Sequence, residues 1–346
     1  MEENKIISDE NLIKYFPKEN LEDMASLFFK GSFQELLDKY FYKEDTDNNN
    51  KQFNYDLFEK LLEDELSQQI ILTIVLFCIL KNNKETHKEI QILFEKYNYP
   101  IDDMIFPLNF LKIKFYIKSS NFQQAIDNIN KLISKYEDYT TNIAEKKLDK
   151  KNIYTIETFN QRFIYFDNLF NFLFNMNNLD AKIKKLYFEL KSCFYQIKSF
   201  SKAYDIILIL YQKYPEDILI QFELGKDSVI NSKFDVFEKI LEKMRKNKEE
   251  EKDENIKDIY SNYLIYLEAM NKIALNQYYE AQKKFEEITE NNVIINNNIA
   301  LMNIYTNNLK EGFNELVNMY QDKTNDNKNE YIKNTIKNIQ DKFNIK

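Results

Sequence analysis

Glycine and proline are scarce. Of 346 residues, 3 are Gly (Gly31, Gly225, Gly312) and 4 are Pro, where an average protein would spend about 12% of its positions on the two together. Barrels and sandwiches need these residues at most of their turns, and nucleotide folds need a Gly-rich phosphate loop. No GxGxxG or Walker-type loop can be written. Histidine occurs once, at His87, which excludes multi-His metal sites. The two cysteines, Cys78 and Cys193, stand too far apart for a CxxC or a zinc knuckle, and such sparse usage suits a reducing compartment. Arginine is nearly missing: Arg162 and Arg245 are the only two among 48 basic residues, and the net charge is −8. Few forked donors and an acidic balance argue against a nucleic-acid binder. The longest apolar run, Ile70–Leu80, has 11 residues against the ~20 that span a bilayer. The first fifteen residues are charged, unlike a secretory signal. A cytoplasmic protein is expected.

What is present is helical patterning. Apolar residues recur at i, i+3, i+4 and i+7, predicting an all-α chain with helices near 19–30, 32–43, 53–80, 85–97, 103–118, 121–137, 156–177, 180–197, 200–213, 216–230, 233–248, 255–274, 277–290, 294–306, 308–321 and 328–343. Loops are expected at 44–50, 139–152, 245–258 and 322–329. None has the composition of an interdomain linker, so a single α-solenoid over 1–346 is expected.

The helices pair, and the pairs repeat. An aromatic three residues ahead of a small residue opens the second helix of several pairs: Phe122 and Ala125, Phe200 and Ala203, Tyr278 and Ala281; Phe234 and Phe237 share the spacing without the small residue. From Phe200 to Phe234 is one tetratricopeptide period, about 34 residues. The unit 184–217 fits that pattern well: Tyr187 at position 4, Leu190 at 7, Phe194 at 11, Ala203 at 20 and Pro215 at 32. A small residue at 20 lets two helices approach, large ones fill the space between them, and proline ends the second helix. The unit 218–251 has Gly225 at position 8 but a bulky Phe237 at 20. A third unit has Ala269, Ala281 and Phe285, and a fourth, shifted in phase, has Ala300 and Gly312. A weaker unit, 106–139, precedes them, and residues 1–100 read as divergent helical hairpins. The last helix, 328–343, reads as a cap. Stacking buries such faces, since single units cannot.

No residue set carries catalytic chemistry. His87 lies in a polar stretch and reads as a surface residue. Cys78 and Cys193 read as small buried apolar residues, and the carboxylates sit in solvated runs mixed with Lys. The 24 Tyr and 28 Phe follow helical spacing and read as packing. A non-enzyme without cofactor or metal is expected. In a tetratricopeptide superhelix, first-helix positions 2, 5, 9 and 12 line the concave groove. Here these are Lys185, Phe188, Ser192 and Tyr195, then Leu219, Phe222, Lys226 and Val229, then Tyr263, Tyr266, Met270 and Ile273. The set lacks a Lys/Asn clamp for a terminal carboxylate and is mostly apolar. It suits a helix or an apolar segment, whether a partner's, the chain's own 328–343 helix, or simply neighbouring parts of the fold.

Three stretches carry a family resemblance: 106–132 (FPLNFLKIKFYIKSSNFQQAIDNINKL), 193–237 with its core KSFSKAYDIILILYQKYPED, and 278–320 with Asn296–Asn298 and NNLKEGFNELV. In order and spacing they resemble the tetratricopeptide subunit 12 family of the trafficking protein particle (TRAPP) complex. The resemblance covers roughly 90–340; the family's long N-terminal extension and much of a loop near 139–155 have no counterpart. It implies a non-catalytic scaffold subunit of a TRAPP III-type vesicle-tethering and Rab guanine-nucleotide-exchange complex, peripheral to ER and Golgi membranes. Its partners would be the other subunits, with no nucleic acid and no membrane insertion. A generic tetratricopeptide adaptor in another assembly, such as a ciliary coat or transport particle, is the alternative.

Overall fold

Among the described residues, helix forms almost wherever the apolar spacing predicts it. The computed structural model describes residues 23, 26–27, 30–44, 51–53, 65–81, 87–97, 99, 106–144, 179–288, 293–306, 308–321 and 329–343. The chain divides into two units, Met1–Lys198 and Ser199–Lys346. The first contains α1 (Phe33–Tyr40), β1 (Tyr42–Glu44), β2 (Lys51–Phe53), α2 (Glu65–Lys81), α3 (His87–Lys96), α4 (Phe106–Lys118), α5 (Phe122–Ala144) and α6 (Leu179–Gln196). The second contains α7 (Phe200–Lys213), α8 (Ile218–Ile230), α9 (Phe234–Glu250), α10 (Glu254–Ala274), α11 (Tyr278–Glu286), α12 (Val293–Tyr305), α13 (Leu309–Gln321) and α14 (Asn329–Phe343).

In the first unit α2 is the central rod. Every residue from Leu72 to Ile79 is buried, as an apolar helix without a polar face must be. Its buried hydroxyl, on Thr73, donates to the Gln69 carbonyl at 2.7 Å. Leu36, Leu37, Phe41, Leu93, Leu108 and Leu111 share this core. Farther along, the Tyr187 hydroxyl of α6 donates to Glu137 Oε1 of α5 at 2.7 Å. Lys114 of α4 pairs with Glu189 of α6 at 2.5 Å.

One local feature departs from the all-α expectation. Helices over 32–43 and 53–80 were expected, yet α1 stops at the fully buried Phe41 and an antiparallel pair follows, with Tyr42 opposite Phe53 and Glu44 opposite Lys51. The sequence between the strands, DTDNNN, consists of turn formers that compete with helix.

In the second unit each helix packs on its sequence neighbour, and α8 also packs on α10. α7 ends at Lys213, just short of Pro215, as the proline predicts. Asp217 then caps α8, its Oδ1 accepting from the Leu219 and Ile220 amides. Such a cap contributes about 1 kcal/mol. Gln221 Nε2 and Lys243 Nζ donate to the Pro215 carbonyl, at 2.8 and 2.9 Å, which fixes the connection.

The charged run 245–258, expected as a loop, is helix on both sides of a three-residue break. α9 continues to Glu250, and Asp253 caps α10 by accepting from the Asn255 amide at 2.9 Å. Likewise α5 runs on to Ala144, into the loop expected at 139–152. Alternating Lys and Glu are good helix formers with a solvated face, so charge density alone did not mark a boundary. α11 ends at Glu286, short of the expected 290. The helix expected at 156–177, most of that at 19–30, and the loops at 45–50 and 322–328 lie outside the described residues.

A single turn recurs between consecutive helices. Ser120, Lys198, Ser232 and Asn276 all adopt left-handed backbone, with φ of 59°, 58°, 55° and 59°. Two residues after each, a new helix opens on an aromatic: Phe122, Phe200, Phe234, Tyr278. The left-handed residue's amide donates three residues back, as from Ser232 to the Val229 carbonyl and from Asn276 to Ile273. The next amide reaches five back: Asn121 to Tyr116, Lys233 to Ser228, Gln277 to Lys272. These are the paired bonds of a Schellman ending. The carbonyl of that next residue then accepts from the amide four on, at Ala125, Ala203, Phe237 and Ala281. Asn308, with its bond to Asn303 and its acceptance from Gly312, repeats the same closure before α13. All five residues whose amides donate in this way, Ala125, Ala203, Phe237, Ala281 and Gly312, are buried.

Candidate interaction surface

The groove positions expected on α8 and α10 meet in the second unit. Phe222 of α8 stacks on Tyr263 of α10, with ring centroids 4.2 Å apart and planes 19° apart. It also meets the Tyr266 ring edge-on at 5.4 Å, and Tyr266 meets Phe285 of α11 in the same way at 5.4 Å. The seam is thus continuous over three helices, and each such contact adds about 0.5–1.5 kcal/mol beyond area burial. Helical spacing explains the alignment: Tyr263 and Tyr266 are three residues apart and share a face.

Polar groups border the seam. Lys226 lies with its Nζ 5.5 Å from the Phe222 ring centre and pairs with Glu223 at 2.6 Å. Asn298 of α12 donates its Nδ2 to the Tyr266 hydroxyl at 3.3 Å. Burial raises the Tyr266 pKa, the Asn298 bond works against that rise, and the Glu223 charge adds to it. The phenol therefore stays neutral through the physiological range. Tyr263, Tyr266, Met270 and Ile273 are half-buried, Val229 is buried and Leu219 is 42% exposed. The surface presents aromatic faces with a cation and a carboxylate at one edge, which suits an apolar segment carrying some polar decoration.

The four positions on α6 belong to the first unit. Lys185 pairs with Glu189 at 3.3 Å one turn on, Phe188 is half-buried, and Ser192 is exposed. Tyr195 lies under the Lys191 ammonium, 5.5 Å from the ring centre. Sequence spacing did not single out Glu189, which is buried and takes both Lys114 and Lys185. Its place one turn after Lys185 was the available signal. Asn298 was noticed only as part of a triplet, and its reach to Tyr266 depends on tertiary placement.

α14 packs on α13. Its Ile336 and Ile339 join Ala300, Ile304 and Leu316 in one cluster, and Lys342 sits over the Tyr305 ring at 4.6 Å.

Both thiols are deeply buried, as the sequence suggested. Burial pushes Cys78 up to about 12. Cys193 is pushed to about 11 by burial and by the Glu189 charge. α3 begins at His87; its side chain lies outside the described set. Among the described residues there is no group of three or more His, Cys, Asp or Glu that could hold a metal, and no helix is long and apolar enough to cross a membrane. No protein family matches the chain, and no curated protein or solved structure matches it either.

Proposed function

We propose that the chain is a non-catalytic scaffold of tetratricopeptide-type hairpins that holds a partner protein on the Phe222–Tyr263–Tyr266 seam. The observation that carries this reading is the recurrence of one hairpin turn. The left-handed residue, the aromatic two residues on and the buried residue five on recur at Ser120, Lys198, Ser232 and Asn276. Repeated two-helix units of this kind bury their faces by stacking and leave a continuous surface for partners. An aromatic seam whose Tyr263 and Tyr266 rings are half-buried around a buried Phe222 supplies anchors for a partner.

For the partner set we propose the one implied by the sequence resemblance. The chain would be an assembly subunit of a TRAPP III-type tethering and Rab-exchange complex in ER-to-Golgi and autophagic traffic, at membranes through its complex. Affinity purification of the tagged chain from its native cells, read by mass spectrometry, tests both levels. Recovery of small TRAPP core subunits supports the assignment. Recovery of a different stable assembly, such as a ciliary coat, replaces it with the adaptor reading. In either case Tyr263→Ala should weaken capture at least tenfold, the size of a hot-spot truncation of about 1.4 kcal/mol or more, with the helical signal unchanged. Undiminished capture by Tyr263→Ala would remove the seam from the account.

A further inference from the structure

The first unit contains a cleft of about 460 Å³ between α3, α4 and the start of α5, within the size range of small-molecule sites. Its apolar wall is aromatic. Phe94 and Phe115 are each 7% exposed, with centroids 5.7 Å apart and rings tilted by 42°. Tyr116 continues the wall, 6.0 Å from Phe115. Set into this wall is Lys112, only 8% exposed, its Nζ 5.7 Å from the Phe94 ring centre. A lysine so buried is uncommon, and burial lowers its pKa. It has three N–H donors, so it can serve an incoming oxygen alongside its present neighbours, and an anion placed there would offset part of its desolvation.

We propose that this cleft is a binding site for an aromatic carboxylate, the ring lying against Phe94, Phe115 and Tyr116 and the carboxylate on Lys112. Polar side chains complete the lining. Gln124 Oε1 accepts from Asn121 Nδ2 at 2.8 Å, and Gln91 Nε2 donates to Glu95 Oε1 at 2.8 Å. These two polar pairs line the cleft beside its aromatic residues. Glu95 is the carboxylate that lines the cleft, and it is exposed. It opposes an anion without contributing to the core, which provides a clean variant.

The chain has no tryptophan, so a tryptophan probe excited beyond the tyrosine absorption band is seen by its own fluorescence. N-acetyltryptophan should bind the full-length protein about tenfold more tightly than its neutral amide, the discrimination expected of one charge-assisted hydrogen bond. Lys112→Met should abolish that preference. Glu95→Gln, at an exposed position, should tighten the acid by about two- to fivefold, which keeps the test decisive should Lys112→Met fail to fold. A short peptide ending in tryptophan, compared with N-acetyltryptophan, separates a protein tail from a small acid: tighter binding assigns the tail, equal binding the small acid. Equal affinity of wild type for acid and amide, or no response to Glu95→Gln, would overturn the proposal.

Discussion

Two glycines lie in helices of the second unit, and the same substitution at each should move stability by different amounts for a stated reason. At Gly312 of α13, a Cβ would collide with the Ala300 carbonyl oxygen. It would also lie 2.8 Å from Ile304 Cγ1 and 3.1 Å from Asn303 Cβ, all on α12. Backbone cannot move aside without separating the helices. At Gly225 of α8 the nearest atoms belong to the flexible end of Leu267 of α10, at 2.8 and 3.1 Å, and a rotamer change can relieve the contact. Replacing Gly by Ala in a helix gains about 1 kcal/mol of propensity, while overpacking costs about 1–3 kcal/mol. Gly225→Ala should therefore come out near zero. Gly312→Ala should lose about 1–2 kcal/mol and Gly312→Val about 3 kcal/mol, since Val adds bulk and forgoes most of the propensity gain. In thermal melts followed by circular dichroism, the two Gly312 variants should lower the transition of this unit by roughly 3–10 °C. Hydrogen exchange should speed up first in α12 and α13. A Gly312→Ala protein as stable as wild type, or less stable at Gly225 than at Gly312, would refute the close approach of these helices.

Ser232→Gly should stabilise the chain by up to about 1 kcal/mol in urea titration, because a left-handed residue other than Gly costs about 1–2 kcal/mol while Gly returns part of that as chain entropy; Ser232→Val should do the reverse. Ala203→Arg should cost several kcal/mol, overpacking a fully buried position and placing an unpaired charge there, and should appear as lost helicity before any loss of binding. The thiols should resist alkylation at pH 8. With Cys78 near 12 and Cys193 near 11, the thiolate is about one part in a thousand or less, so labelling measured by mass spectrometry should follow unfolding. Raising the pH toward 11 should expose Cys193 before Cys78.

Much of the fold was legible because burial follows spacing. Ala125, Ala203, Ala269, Ala281, Ala300 and Gly312 stand at the expected small positions and are fully buried or nearly so. The groove spacing also brought out Phe222, Tyr263 and Tyr266, whose rings do meet. The left-handed turn was not legible. Where glycine or asparagine would announce it, this chain uses Ser120, Lys198 and Ser232, and only Asn276 follows the rule. Phe237 looked off-pattern at a small-residue position, yet it is fully buried, since helix spacing can open locally for a large side chain. Phase slips run both ways: α9, with 17 residues, and α10, with 21, lengthen the step from the second unit to the third, and the short α11, with 9, precedes a fourth unit that comes early, so a fixed period loses register. The cleft at Lys112 had no sequence signal, because it joins residues from three helices whose approach is a tertiary fact.

The backbone angle at Ser120, Lys198, Ser232 and Asn276, read from chemical shifts and amide–Hα couplings of the isotope-labelled chain, tests the shared hairpin most directly. Left-handed values at all four, each between two helical stretches, are predicted. Helical or extended values at any of them would contradict the repeat.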